Sequence, residues 1–270
     1  MLPDVPEFPD IHPNITAICV IWAIGDSVSE DLFRVVAKTL DKPTIERSNR
    51  LFWKKDRERF LCSHLLRRAL LSTLTGVPMD EIFFTTNRYG KPYLTLGGHQ
   101  QSAGTWNFNV SSSGERVAFL ATTNGQCGID IESLPDKEPM PDLKQMSKVN
   151  VFSGREKEYL MSGPGPFPQR FYQIWTLKEA YLKYTGRGLG GIEELDMIDL
   201  LDLRQPMNVG RWASDKRDVA AFHRFEHDHA LSAVLSGDQA MPQVHVLHDE
   251  QVFALVKGNF PRKRKSDDYA

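Results

Sequence analysis

Two stretches decide the reading: Gly128-Ile129-Asp130-Ile131-Glu132 and, further on, Trp175-Thr176-Leu177-Lys178-Glu179-Ala180-Tyr181-Leu182-Lys183. The first alternates apolar and acidic residues with the period of a strand. Ile129 and Ile131 then share one face, and Asp130 and Glu132 share the other. Two carboxylates about 6.5–7 Å apart on one strand face repel unless water surrounds them or a cation sits between them. A half-exposed strand with solvated acids is one reading. A hard cation such as Mg²⁺, which takes oxygen ligands and keeps several waters, is the other.

The second stretch has helical spacing. Its apolar stripe runs Phe171, Trp175, Leu182, and Glu179 falls inside that stripe at i+4 from Trp175. An acid on an apolar face is costly to bury unless it is paired. Lys183 stands at i+4 from Glu179, the favourable order for an ion pair, so the two could satisfy each other at the core edge. The functional alternative makes Glu179 a third metal carboxylate, with Lys178 and Lys183 holding phosphate oxygens. A metal and two lysines are what a pyrophosphate needs.

Outward from these stretches the pattern alternates between strand and helix. Residues 15–24 are β-branched and aromatic and predict a buried strand. Ser27-Val28-Ser29-Glu30 has capping-box form and opens a helix with Leu32, Phe33, Val36 and Leu40 on one face. Residues 46–75 predict one long helix ended by Gly76. Residues 82–86, 106–110, 116–122 and 127–132 predict strands, with turns at Tyr89-Gly90-Lys91-Pro92, Gly114 and Asn124-Gly125. Ser153-Gly154-Arg155-Glu156 is another capping box, and a helix runs from about Gln169 to Tyr184, stopping at Gly186. Residues 230–235 and 243–248 predict two further strands. The division that results is 1–125, with 1–13 a flexible arm, then 126–256, then a disordered tail over 257–270.

Two more groups carry possible chemistry. Residues 47–68 are rich in arginine and lysine, which reads as a solvated helix face or a nucleic-acid patch. The near balance of 33 basic and 35 acidic residues, and the lack of any nucleic-acid module, speak against the patch. Asn109-Val110-Ser111-Ser112-Ser113-Gly114 runs from strand to turn, where hydroxyls and amides could hold an anion or serve the turn alone.

Composition excludes several classes. The chain has 270 residues, 41% of them hydrophobic, enough for one large core or two small ones. No apolar run approaches the roughly 20 residues of a membrane span, and the acidic, proline-rich start is no secretory or transit signal. Cys19, Cys62 and Cys127 are widely spaced, so a reducing, cytoplasmic setting is expected, with no zinc spacing.

In order and spacing these pieces resemble the surfactin-type 4′-phosphopantetheinyl transferases, of the holo-acyl-carrier-protein synthase superfamily. Residues 128–132 and 175–183 match that family's G-(I/V)-D-(I/V)-E and W-x-x-K-E-(S/A)-x-x-K elements. The 89–92 turn and residues 108–114 are similar to two more of its segments. The resemblance implies an α+β fold of two similar subdomains about a pseudo-twofold axis, with coenzyme A in the cleft between them. It implies transfer of 4′-phosphopantetheine from coenzyme A to a serine of an apo carrier protein, with Mg²⁺ and release of 3′,5′-adenosine bisphosphate. Asp130, Glu132 and Glu179 are then metal ligands, and Lys183 and Lys178 hold the pyrophosphate. Arg47, Lys91, Pro92, Asn109, Ser111 and Ser112 line the nucleotide, and Glu156 is a general base. A monomer acting on carriers, not on nucleic acid or membrane, is expected.

The segment departs from the family at Ser112, where histidine is usual. A neutral hydroxyl holds phosphate less tightly than a charged imidazole, so weak discrimination against coenzyme A lacking its 3′-phosphate is expected, with Arg47 covering part of the loss. The departure also leaves room for a member that binds coenzyme A or a carrier with reduced or lost transfer. A different Mg²⁺-dependent phosphoryl transferase is the rival enzyme, but the chain has no G-x-x-x-x-G-K-(S/T) loop.

Overall fold

A computed structural model describes residues 15–25, 30–96, 106–134, 151–188, 190–192, 195–201, 208–214, 217–226, 228–237 and 242–259. The Ser27 cap, the N-terminal arm and the last residues of the tail lie outside them. Among the described residues no helix is long and apolar enough to cross a membrane.

Strand β1 (Ala17–Ala23) is the centre of the first sheet, and its alternation explains why. Ile18, Val20 and Trp22 enter one core, while Cys19 and Ile21 enter another. A strand buried on both faces must read as a continuous apolar run. On one side β1 pairs antiparallel with β5 (Arg116–Thr122), which pairs with β4 (Asn107–Ser113). Helices α1 (Glu30–Thr39), α2 (Lys42–Asn49) and α3 (Lys54–Thr75) lie near the start of the chain, and α3 covers the Trp22 face with Leu61, Leu65 and Leu66. The single helix expected over 46–75 is thus two. Asp41 caps α2 through Thr44 N–H, and Arg57 donates to the carbonyls of Leu51 and Phe52, satisfying oxygens freed by the break. Strands β2 (Ile82–Thr86) and β3 (Pro92–Leu96) form a separate hairpin. The sequence pattern gave only a turn where β3 begins.

The second sheet has the order β6-β9-β8-β7, where β6 is Cys127–Ser133, β7 Asn208–Ser214, β8 Arg217–Glu226 and β9 His229–Ser236. Ile129 and Ile131 face the first sheet, sharing a core with Cys19, Ile21 and Leu120. The other face is covered by α4 (Gly154–Ser162) and α5 (Phe167–Thr185), through Leu160, Ile174 and Leu177. The layers are therefore helix, sheet, sheet, helix, a mixed α+β architecture.

One boundary moves. Residues 244–256 were expected with the second half, but β10 (Val244–His248) pairs parallel with β1, and α6 (Asp249–Gly258) packs on the first core. The open edge of β1 needs a partner, and Leu247, Val252 and Val256 close that core. Asp249 accepts from the Trp22 indole at 2.8 Å, fixing the return.

Gly128 sets how close α5 comes to β6. A Cβ at this position meets Ala180 O at 2.1 Å and Tyr184 N at 2.3 Å, both backbone atoms of α5. Gly128→Ala is therefore expected to lower stability by at least about 3 kcal/mol, the upper part of the usual overpacking range, because helix and sheet must separate. Urea unfolding measures this, and a wild-type midpoint would contradict the close approach.

Candidate functional site

The β4 and β6 strands are both sheet edges, and they meet side by side. An unpaired edge presents bare N–H groups that must find partners. Here β4 supplies them with side chains. Asn109 Oδ1 accepts from Ile129 N–H at 2.9 Å, and Ser113 Oγ accepts from Ser133 N–H at 3.0 Å. The odd-numbered side chains of β4 thus bind the β6 edge, while Phe108 and Val110 turn to the α3 side.

The acids gather on this seam. Asp130 is 2% exposed. Its Oδ1 accepts from Ser111 Oγ at 2.8 Å and from Lys183 Nζ at 2.5 Å, and Lys183 also reaches Ser111 Oγ at 2.8 Å. Its Oδ2 is buried with no partner. Glu132 accepts from Ser113 Oγ at 2.7 Å, and the Trp175 indole helps to lower its pKa against the effect of burial. Glu179 lies on the half-buried face of α5 that carries Trp175 and Lys183, one turn apart each. Sequence spacing pairs Lys183 with Glu179; the structure bonds its ammonium to Asp130, with Glu179 within electrostatic range.

All three carboxyls sit above the ordinary carboxylate range. Burial is the main cause for each. Asp130 then raises Glu132, and both raise Glu179, while Lys183 pulls all three back. Three hard oxygen donors, one of them orphaned, and mutual repulsion are what a divalent cation relieves. The residues fit such an ion in donor type and charge. As the side chains stand, no group of three His, Cys, Asp or Glu among the described residues is close enough to hold a metal. Beside the acids opens a cleft of about 260 Å³, lined by Tyr89, Pro92, Asn109, Val110, Glu179 and Lys183. A larger cavity of about 430 Å³, bounded by Ile131, Arg116, Asp228, His229 and His248, contains none of the expected catalytic, nucleotide-binding or metal-binding residues.

The remaining expected residues divide. Pro92 lines the cleft, but the Lys91 ammonium turns inward to the carbonyls of Cys127 and Tyr184 at 3.1 and 3.0 Å, and burial lowers its pKa. It ties the hairpin to the end of α5. Ser112 lies on the opposite face of β4 from Ser111. Arg47 stands on α2 over the Phe60 ring.

Lys178 and Glu156 do not join the acids. Both side chains are fully buried and bonded to each other at 2.6 Å. Lys178 also donates to Leu195 O at 2.5 Å. Glu156 closes its capping box on Ser153 N–H and accepts from Met197 N–H at 2.9 Å. Its oxygens are thus engaged by three donors, Ser153 N–H, Lys178 Nζ and Met197 N–H. Lys178 is five residues from Lys183, about 140° around the helix at 3.6 residues per turn, so the two point to different neighbours.

Sequence reading missed Ser113 as the hydrogen-bond partner of Glu132. Alternation along β4 was the available signal, since it puts Ser111 and Ser113 on one face and Ser112 on the other.

Residues 126–240 match a family model described as the 4′-phosphopantetheinyl transferase superfamily, and residues 27–124 match one described as the N-terminal part of 4′-phosphopantetheinyl transferase. The chain is 32% identical to the 4′-phosphopantetheinyl transferase HetI of Nostoc sp., over 68% of this chain and 77% of that protein. It is 29% identical to the 4′-phosphopantetheinyl transferase gsp of Aneurinibacillus migulanus, over 62% of this chain and 64% of that one. A relative from Rattus norvegicus, L-aminoadipate-semialdehyde dehydrogenase-phosphopantetheinyl transferase, is 31% identical over 54% of this chain and 48% of its own length.

Two outcomes test the geometry. Lys178→Met leaves Glu156 charged and unpaired in the interior, so stability should fall by about 3–5 kcal/mol. Adding Glu156→Leu should recover much of that loss, and urea unfolding of both variants checks it. The second concerns Glu179. Its folded pKa is raised, so its contribution to stability is fully present below its unfolded pKa of about 4.3 and is lost as pH rises through the folded pKa. Glu179→Gln should therefore raise the melting temperature of the metal-free protein at pH 7, and the gain should vanish near pH 4. An equal or lower melting temperature at pH 7 contradicts the repulsion.

Proposed function

Because this chain belongs to the 4′-phosphopantetheinyl transferase family and is an enzyme of that class, we propose that it moves the 4′-phosphopantetheine arm of coenzyme A to a serine of an apo carrier protein, with Mg²⁺. We take the fold as two α+β halves about a pseudo-twofold axis, with coenzyme A in the cleft at the β4–β6 seam. The observation that carries the reading is Asp130: buried, held through one oxygen by Lys183 and Ser111, and orphaned at the other beside two further acids. A carboxylate is not left half-satisfied in an interior without cost, and a ligand cation meets that need.

Asp130, Glu132 and Glu179 would hold Mg²⁺, which when bound supplies positive charge at the pyrophosphate. Lys183 holds a phosphate oxygen, its ammonium being anchored by Asp130 and Ser111 at the edge of the cleft. Pro92 and Val110 form an apolar wall on which a nucleotide base can rest. In the transfer, the carrier serine oxygen bonds the phosphorus that bears the pantetheine arm. The bond from that phosphorus to the bridging oxygen breaks, and 3′,5′-adenosine bisphosphate leaves with the electron pair. The serine proton passes to Glu179. That side chain is only partly buried and lines the cleft, within reach of an incoming hydroxyl.

Incubation with coenzyme A, Mg²⁺ and a panel of apo carriers, followed by weighing the carriers, tests the proposal. One carrier at least should gain one phosphopantetheine. Asp130→Ala should cut the rate by about 100-fold or more at limiting Mg²⁺ while the protein still unfolds cooperatively. Unchanged mass across the panel, or near wild-type turnover in that variant, would overturn the reading.

A further inference from the structure

The sheet face beneath α5 is crossed by one polar row. Asp130 on β6 stands directly opposite Ser232 on β9, and Ser232 stands opposite His223 on β8. Residues directly opposite on neighbouring strands share a face. On either side of the row that face carries Ala230 and Val234 on β9 and Ala221 and Phe225 on β8, all in the core that α5 covers. Ser232 is fully buried and His223 is 4% exposed. Thr176, also fully buried, meets the row from α5. Polar side chains in so apolar an interior are costly unless they are hydrogen-bonded to one another.

The hydrogens of this group follow from its geometry. Thr176 Oγ1 is 2.7 Å from Tyr172 O, and a carbonyl only accepts, so the Thr176 hydrogen goes there. Ser232 Oγ is 2.7 Å from Thr176 Oγ1, and that contact then takes the Ser232 hydrogen. Ser232 Oγ is also 2.9 Å from His223 Nδ1, whose hydrogen completes the chain. Burial holds the His223 pKa down at about 3, so the ring is neutral and has a single N–H. That N–H is on Nδ1, and Nε2 keeps a lone pair, buried without a partner. Every donor points the same way, from β8 through β9 to the backbone of α5, and aligned bonds strengthen one another.

Such a chain fixes what apolar packing leaves soft. Hydrophobic contact is non-directional, whereas a hydrogen bond weakens steeply as its geometry departs from the preferred one. Lys183 is seven residues beyond Thr176, two turns along α5 and only about 20° around it. Thr176 on Ser232 and Lys183 on Asp130 are thus contacts of one helix face with neighbouring members of one row. A slip of α5 by one residue shifts its side chains by about 1.5 Å and 100°, which takes Lys183 off Asp130 and Glu179 out of the cleft. The Lys178–Glu156 pair ties α5 to α4; this chain ties it to the sheet.

We propose that His223 is a positioning residue of the transfer site: through Ser232 and Thr176 it sets the register of α5 in which Lys183 meets Asp130 and Glu179 faces the cleft. The proposal rests on the transfer reading above. His223 touches neither substrate nor metal, and its part is to hold a donor on Nδ1.

Two measurements on the full-length protein decide it. Nitrogen-resolved NMR of the histidine rings should show His223 neutral at pH 7 with its proton on Nδ1; a proton on Nε2 overturns the chain. Transfer from coenzyme A to an apo carrier is then compared in variants, at a temperature where each is folded. His223→Asn places an amide N–H where Nδ1 was and gives up only the unpartnered nitrogen, so turnover should stay within about threefold of wild type. His223→Leu keeps apolar bulk without the donor, and turnover should fall about 10- to 100-fold, the cost of a misplaced reacting group. In a Lys183→Met background the same Leu substitution should cost nothing further, because residues that act through one contact are not additive. Ser232→Ala, which cuts the chain at its middle, replaces His223→Leu if that variant does not fold. Wild-type turnover in the Leu variant, equal losses for Asn and Leu, or a full additional loss beside Lys183→Met overturns the positioning role alone. No transfer by wild type to any carrier overturns the reading on which it rests, and the proposal with it.

Discussion

The carboxylate of Asp130 is the constraint on which the rest depends. A charge 2% exposed must be paired or it neutralises. Its hydrogen-bond partners come from two separate elements: Lys183 on α5 and Ser111 on β4. Each can arrive only if another condition holds. Helix α5 reaches β6 because Gly128 has no side chain. Strand β4 reaches it because Asn109 and Ser113 bond the free edge of β6. Satisfying one acid therefore brings both sheets and the second helix into a fixed relation, and it still leaves one oxygen free.

The strands were legible because their signals are local. Alternation in residues 127–132 and the apolar run at 15–24 each require only neighbouring residues to interpret. The acids and Lys183 were legible for the same reason, since a carboxylate inside an apolar pattern demands an explanation. What failed depended on distant partners. Nothing near residues 244–248 says that they return to β1, because the open edge they fill is set more than 200 residues earlier. The break between α2 and α3 contains no glycine or proline; Arg57, further along, makes it tolerable. The inward turn of Lys178 was also hidden, since its partner Glu156 lies on another helix and looked like a capping residue.

Helix α5 shows how one sequence motif serves two purposes. Lys178 and Lys183 share a residue type and a motif, yet one is sealed and the other is at the cleft edge. Their angular separation decides it. The pair of Lys178 with Glu156 adds little net stability compared with apolar packing, but it penalises any arrangement that separates α4 from α5. That penalty holds the face bearing Trp175, Glu179 and Lys183 in register with β6. The pair thus acts on the site through position, without touching it.

Strand β4 divides the charge of the molecule. Its odd-numbered side chains meet acids, and its even-numbered face runs beside arginines. An extended strand is only one residue thick, so opposite potentials stand within a few ångströms of each other, separated by a backbone whose own groups are paired. The raised pKa values of the acids and the crowding of the arginines are, on this view, two halves of one electrostatic strain stored in the free protein.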